Sequence, residues 1–179
     1  GANIKYDLTM ELLEEYQRSK DKRNYLELLV VFINYYLQQK TIDDKVLLNI
    51  LFSDNCLKDS EQNKLFKAYR EYFLGKIALR MTDPRLLPPI EHFERAFSII
   101  ENETITELTW KVLTAISDSY LERGFINKAK KPLIYASELL NYIADKIKKS
   151  DFRTKYLNDN ERKKVFNNLK LLNTPMAAQ

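Results

Sequence analysis

The chain is expected to be all-α, on three observations. It holds only three Gly and five Pro in 179 residues, so few positions interrupt regular backbone. Its apolar residues, 45% of the total and including 11 Tyr and 9 Phe, supply ample core. They fall at helical spacings, with little of the alternation that marks strands.

A first helix is predicted over residues 7–19, with Leu8, Leu12, Leu13 and Tyr16 as its apolar stripe, followed by a charged turn at 19–24. Residues 25–39, YLELLVVFINYYLQQ, form a second helix whose apolar residues cover most of its circumference, which predicts a central position. A pair of buried strands is the alternative for the Val-Val-Phe-Ile run, but its length without Gly or Pro favours helix. Thr41 or Asp43 caps a short helix over 44–52, with acids near the positive end of its dipole. Asp59 or Ser60 caps the next, expected to reach Met81 and carrying Leu65, Phe66, Tyr69, Tyr72, Phe73 and Leu79. Thr82-Asp83-Pro84 ends it, because proline cannot continue a helix and restricts its neighbour.

Pro88 and Pro89 open a helix running to about 101, with Ile90, Phe93, Ala96, Phe97 and Ile100 inward. Thr104 or Thr106 caps a helix from Trp110 to about Arg123, and Gly124 provides the exit. Asn127 caps a long helix to about Lys149, in which Pro132 predicts a slight kink or a later start. Residues 150–157 read as a linker with Phe152 and Tyr156 as aromatic anchors. A last helix over 159–172 turns Val165, Phe166, Leu169 and Leu172 inward. That makes about eight helices with short connections.

Several chemistries are disfavoured. The single Cys56 allows no internal disulfide and no cysteine zinc cage, and it is expected to be a small buried hydrophobe. His92, the one histidine, is expected to be exposed and structural. The glycines stand at 1, 75 and 124, so no phosphate loop exists. The carboxylate pairs Glu14-Glu15, Asp43-Asp44 and Glu91/Glu94 look like ordinary surface charge. No enzyme activity, cofactor or metal is expected. No run of about 18 apolar residues and no signal segment is present, so a soluble, cytoplasmic protein without membrane contact is expected. The start at Gly1 suggests a segment of a longer protein.

Charge is unevenly spread. Of 29 Lys/Arg and 25 Asp/Glu, residues 1–127 hold 17 and 20, whereas residues 128–179 hold 12 and 5. A net of −3 thus precedes a net of +7. The basic third would attract nucleic acid or an acidic partner, or serve as a solvated outer face.

Residues 110–136 carry the most specific pattern. Leu113, Ile116 and Tyr120 share a helical face, Gly124 breaks the chain, and Ala129, Leu133 and Ala136 mark the next helix. This order resembles the tetratricopeptide repeat (TPR), a helix–turn–helix unit of about 34 residues. Residues 69–100 resemble a second unit, with Leu74-Gly75 at the Leu-Gly pair, Pro89 at the small position, Phe93 at the aromatic and Ala96 at the second Ala. Residues 6–38 echo the pattern weakly. The segment 135–172 is similar to the end of TPR regions in multidomain bacterial regulators, such as AAA+ transcription factors and kinases.

The resemblance implies a right-handed α-solenoid forming a single domain over 1–179. It would have irregular N-terminal helices at 6–58, two TPR-like hairpins at 60–149, and a linker with a capping helix at 150–172. It also implies a non-catalytic module that binds a protein or peptide, or neighbouring domains of a parent signalling or transcription protein, along a concave face. That face would carry Tyr69, Tyr72, Lys76 and Arg80 from one unit and Lys111, Thr114, Asp118 and Leu121 from the next. The alternative is nucleic-acid binding through residues 128–164, where Lys128, Lys130, Lys131, Lys146, Lys148, Lys149, Arg153 and Lys155 have only Phe152 and Tyr156 nearby for stacking. A structural or homodimerising spacer is a third possibility.

Overall fold

A computed structural model describes residues 11, 18, 22–39, 43–53, 63–103 and 107–173. Among them are eight helices and no strand. The helix predicted over 7–19, Cys56, and the caps proposed at Thr41, Asp59, Ser60, Thr104 and Thr106 lie outside what is described. The chain divides into two compact units, Gly1–Ile99 and Ile100–Gln179, within the span read from the sequence as one domain.

The first unit contains α1 (Lys22–Gln39), α2 (Asp44–Ser53), α3 (Lys64–Ala78) and most of α4 (Pro89–Ile100). Helix α1 buries Tyr25, Leu26, Leu29, Phe32, Ile33, Tyr36 and Leu37, and α3 packs against both α1 and α2. The wrapped apolar surface expected for α1 is not fully used, since Val31 and Tyr35 are exposed. Asp43 Oδ1 accepts the Lys45 amide at 2.9 Å, which makes it the local cap of α2.

Helix α3 starts later than the sequence suggested. Asn63 is its N-cap, accepting the Phe66 amide at 3.2 Å, and the helix ends at Ala78 rather than Met81. In the loop that follows, Asp83 accepts both the backbone amide and the guanidinium of Arg85, each at 2.9 Å. These bonds, side chain first, hold the Asp83 carboxyl down at about 2. Proline at the first position of α4 sacrifices no intrahelical bond, and the Pro88 carbonyl accepts the Glu91 amide at 3.0 Å.

Gly75 of α3 faces Phe93 of α4 at close range. A Cβ at Gly75 would lie 2.5 Å from the ring of Phe93, which is itself fully buried. Tyr72 closes over the same ring, with centroids 5.9 Å apart. Immediately before Phe93, His92 is buried, not exposed as expected. Its Nδ1 lies 2.8 Å from Glu71 Oε2, and its Nε2 accepts the Leu87 amide at 3.1 Å. An accepting Nε2 requires the neutral ring with its proton on Nδ1, so His92 staples α3, α4 and their loop.

The second unit holds α5 (Glu107–Glu122), α6 (Ile126–Asp145), α7 (Ser150–Leu157) and α8 (Asn160–Asn173). Its foundation is the α5–α6 hairpin, the most extensive helix pair described. Gly124 adopts φ +76°, and the bonds Gly124 N–H to Leu121 O and Phe125 N–H to Tyr120 O close a Schellman end. The rings of Tyr120 and Phe125 pack edge to face over it at 6.5 Å. Ala129, Leu133, Ala136 and Leu140 are fully buried along one face of α6. The helix begins at Ile126, one residue before Asn127, with no side-chain cap bond, and continues through Pro132 to Asp145 rather than Lys149.

The predicted linker at 150–157 is instead the helix α7. It buries no residue and so has no apolar stripe for a periodicity argument to find, but Asp151 in its first turn and Lys155 in its last complement the dipole. Helix α8 packs on α6. Only Val165 of its four predicted inward residues is buried, the other three being half-buried.

Candidate functional site

The eight residues expected on a binding face divide between the two units, four in each. In the first, Tyr72 is core, 7% exposed, with its ring 5.8 Å from Phe73 as well as against Phe93. Tyr69 is half-buried, its ring 5.7 Å from Phe73. With Leu26, Val30, Leu65 and Phe66 it lines an apolar cavity of about 580 Å³ between α1 and α3. Lys76 Nζ sits 5.8 Å from the centre of the Tyr72 ring. Arg80 is a clamp: it donates to the Leu37 carbonyl near the end of α1 and to Asp44 Oδ1 at 3.2 Å at the start of α2. A cation at a helix C-terminus and a carboxylate at the next N-terminus are both favoured by the backbone dipoles, so Arg80 joins two helix ends.

In the second unit the expected residues are also engaged within the fold. Lys111 Nζ is 3.3 Å from Glu161 Oε2 and lies 5.6 Å from the Trp110 ring. Thr114 Oγ1 donates to the Trp110 carbonyl at 2.8 Å. Asp118 accepts from Lys164 Nζ at 2.7 Å and Asn168 Nδ2 at 3.3 Å. Leu121 is half-buried. Helix α8 therefore supplies partners to the very face of α5 that the repeat resemblance assigns to a ligand.

A tighter cluster lies at the start of α5 and was not anticipated. Glu107 accepts from Trp110 Nε1 at 2.8 Å, from Arg162 Nη2 at 3.2 Å and from the Tyr156 hydroxyl. The Arg162 guanidinium stacks 3.9 Å above the Tyr156 ring and donates to the Tyr156 carbonyl. Burial on its own raises the Glu107 pKa, but the bonds from Tyr156, Trp110 and Arg162 outweigh it, and the net shift is downward. For Tyr156, burial and the Glu107 carboxylate act together and push the hydroxyl well above the usual phenol range. Arg162 is opposed by burial yet raised overall by Glu107. The arrangement is a structural lock, holding α7 and α8 against α5. Its members are separated by up to 55 positions in the chain, so no local spacing signals them.

The basic third is partly neutralised. Arg153 pairs with Asp145 at 3.5 Å, Arg162 with Glu107 and Lys164 with Asp118. Tyr156, one of the two rings considered for base stacking, is covered by Arg162, whereas Phe152 is 55% exposed. Exposed rings also occur where the sequence reading did not place them, at Phe125, Tyr135 and Tyr142. Among the described residues no group of three or more His, Cys, Asp or Glu could hold a metal ion, and no helix is long and apolar enough to cross a membrane. Comparison of the chain with known protein families, curated proteins and solved structures returns no match.

Proposed function

We propose that this chain is a non-catalytic, TPR-like α-solenoid that binds a protein or peptide and serves as a regulatory part of a larger bacterial signalling or transcription protein. The observation that carries the reading is the α5–α6 hairpin. Its Schellman turn at Gly124 and its buried Ala129, Leu133 and Ala136 are the features through which residues 110–136 resemble a TPR unit. The contact of Gly75 with Phe93 supports the same reading for α3 and α4, because a glycine facing an aromatic ring lets two helices approach closely.

Most of the face first expected to bind is engaged within the fold. Arg80, Lys111, Thr114 and Asp118 satisfy groups of the fold itself, so a ligand would have to displace those bonds to use them. Recognition is better assigned to exposed helix surface. Panning a random peptide library against the immobilised protein tests the module: related sequences should be enriched and, once synthesised, should bind with Kd on the order of micromolar. Failure to enrich any sequence beyond what an unrelated helical protein enriches would sink the reading.

A further inference from the structure

Helix α6 has two unlike sides. Ala129, Leu133, Ala136, Leu140 and Ala144 are buried on one. On the other, Lys128, Lys131, Tyr135, Glu138, Tyr142 and Lys146 follow one another at steps of three and four residues, and all six are exposed. A single exposed tyrosine needs no explanation, but this stripe carries two, 40% and 50% exposed, about 10 Å apart along the axis. Lysines stand at both ends, roughly 27 Å apart from Lys128 to Lys146. The end lysines lie over aromatic faces: Lys128 Nζ is 5.3 Å from the Phe125 ring and Lys146 Nζ 4.7 Å from the Tyr142 ring. Just past the helix, Lys149 lies 5.6 Å from the ring of exposed Phe152.

We infer that this face of α6 docks an acidic amphipathic helix of a partner protein, an inference that rests on the binding-module reading and names its partner class. Charge pattern decides the occupant. The stripe is basic at its two ends and aromatic in the middle. Its central acid is Glu138, since the nearby Asp145 is already paired with Arg153. A helix of about 18 residues spans that length, placing carboxylates over the terminal lysines and aliphatic side chains over Tyr135 and Tyr142. A nucleic-acid strand fits less well, because its evenly spaced phosphates would meet Glu138 at the centre. A lipid surface fits less well too, because the large exposed side chains of the stripe are tyrosines rather than aliphatics.

The test uses the whole chain and a labelled synthetic helix with Glu at both ends and Leu in the middle. Controls are a scrambled peptide, a thymidine oligonucleotide and vesicles rich in phosphatidylserine. The designed helix should bind at about 0.1 M salt, with affinity falling as salt rises. Changing Lys128, Lys131 and Lys146 together to Glu, or Tyr135 and Tyr142 together to Ala, should each weaken it by about tenfold or more. All five side chains are exposed, so circular dichroism and melting should not change. Equal binding by wild type and both variants would overturn this surface while leaving the module reading intact. Equal affinity for the scrambled peptide, or tighter capture of the oligonucleotide or vesicles through the same residues, would overturn the partner class. If neither this helix nor any library-selected peptide binds, the inference and the module reading fall together.

Discussion

Replacing Glu107 should loosen the second unit by a predictable amount. Glu107→Ala strips the acceptor from a buried indole N–H, from the Tyr156 hydroxyl and from the Arg162 guanidinium. Hydrogen bonds to a charged group are worth about 1.5–3 kcal/mol each when fully desolvated. The Glu107 side chain is 41% exposed, however, so water replaces part of what is lost and the sum must be discounted. The Trp110 N–H is the least replaceable partner, because its side chain is 2% exposed. An overall loss of about 2–3 kcal/mol follows for Glu107→Ala, and about 1 kcal/mol for Glu107→Gln, which keeps one carbonyl acceptor.

Trp110 is the sole tryptophan, so its emission during denaturant unfolding reports this unit directly. The Glu107 pKa is depressed in the fold, so its contribution is complete above the unfolded value near 4.5 and is lost as pH falls through the lower folded value. Wild type should therefore lose stability below about pH 4.5, and Glu107→Gln should lose less over that range. If both variants unfold within about 0.5 kcal/mol of wild type, the cluster does not lock the unit.

Two glycines should respond differently to alanine. Gly75→Ala pushes a methyl into the fully buried Phe93 ring and should cost about 2–3 kcal/mol, whereas Gly124→Ala meets nothing within 4 Å and should cost only about 1 kcal/mol for its left-handed backbone. Melting of the two variants side by side checks this order, and an equal or reversed cost would refute it. The alkaline limb tests Tyr156. Its raised pKa means that its contribution is complete below the unfolded value of 10.0 and is lost as pH climbs above it. Tyr156→Phe should flatten that decline, as followed by Trp110 emission from about pH 10 to about pH 12. A decline of unchanged slope would assign it to other groups.

How much was legible follows from where each signal resides. The end of α5 was readable because Gly124 marks a left-handed residue locally, and the inner face of α6 because Ala129, Leu133 and Ala136 repeat at helical steps. Asp43 as a cap and Pro89 as an opener were readable for the same reason. Helix α7 was missed because it buries nothing, so its residues carry no apolar period. His92 was misjudged because flanking residues do not show that Glu71, 21 positions earlier, comes to meet it. The intramolecular partners of Lys111 and Asp118 were hidden likewise, since they lie in α8, about 50 residues along the chain.

From the sequence alone came the helical class, most helix positions and the turn at Gly124, because apolar period, caps and glycine conformation act over one or two turns. The tertiary structure decided which polar side chains are spent inside the fold and which face outward. Arg80, Glu107 and Asp118 found partners that only packing brings near, while Tyr135, Tyr142 and the lysines around them were left on an outer face. That division depends on contacts made across tens of residues, to which local spacing is blind.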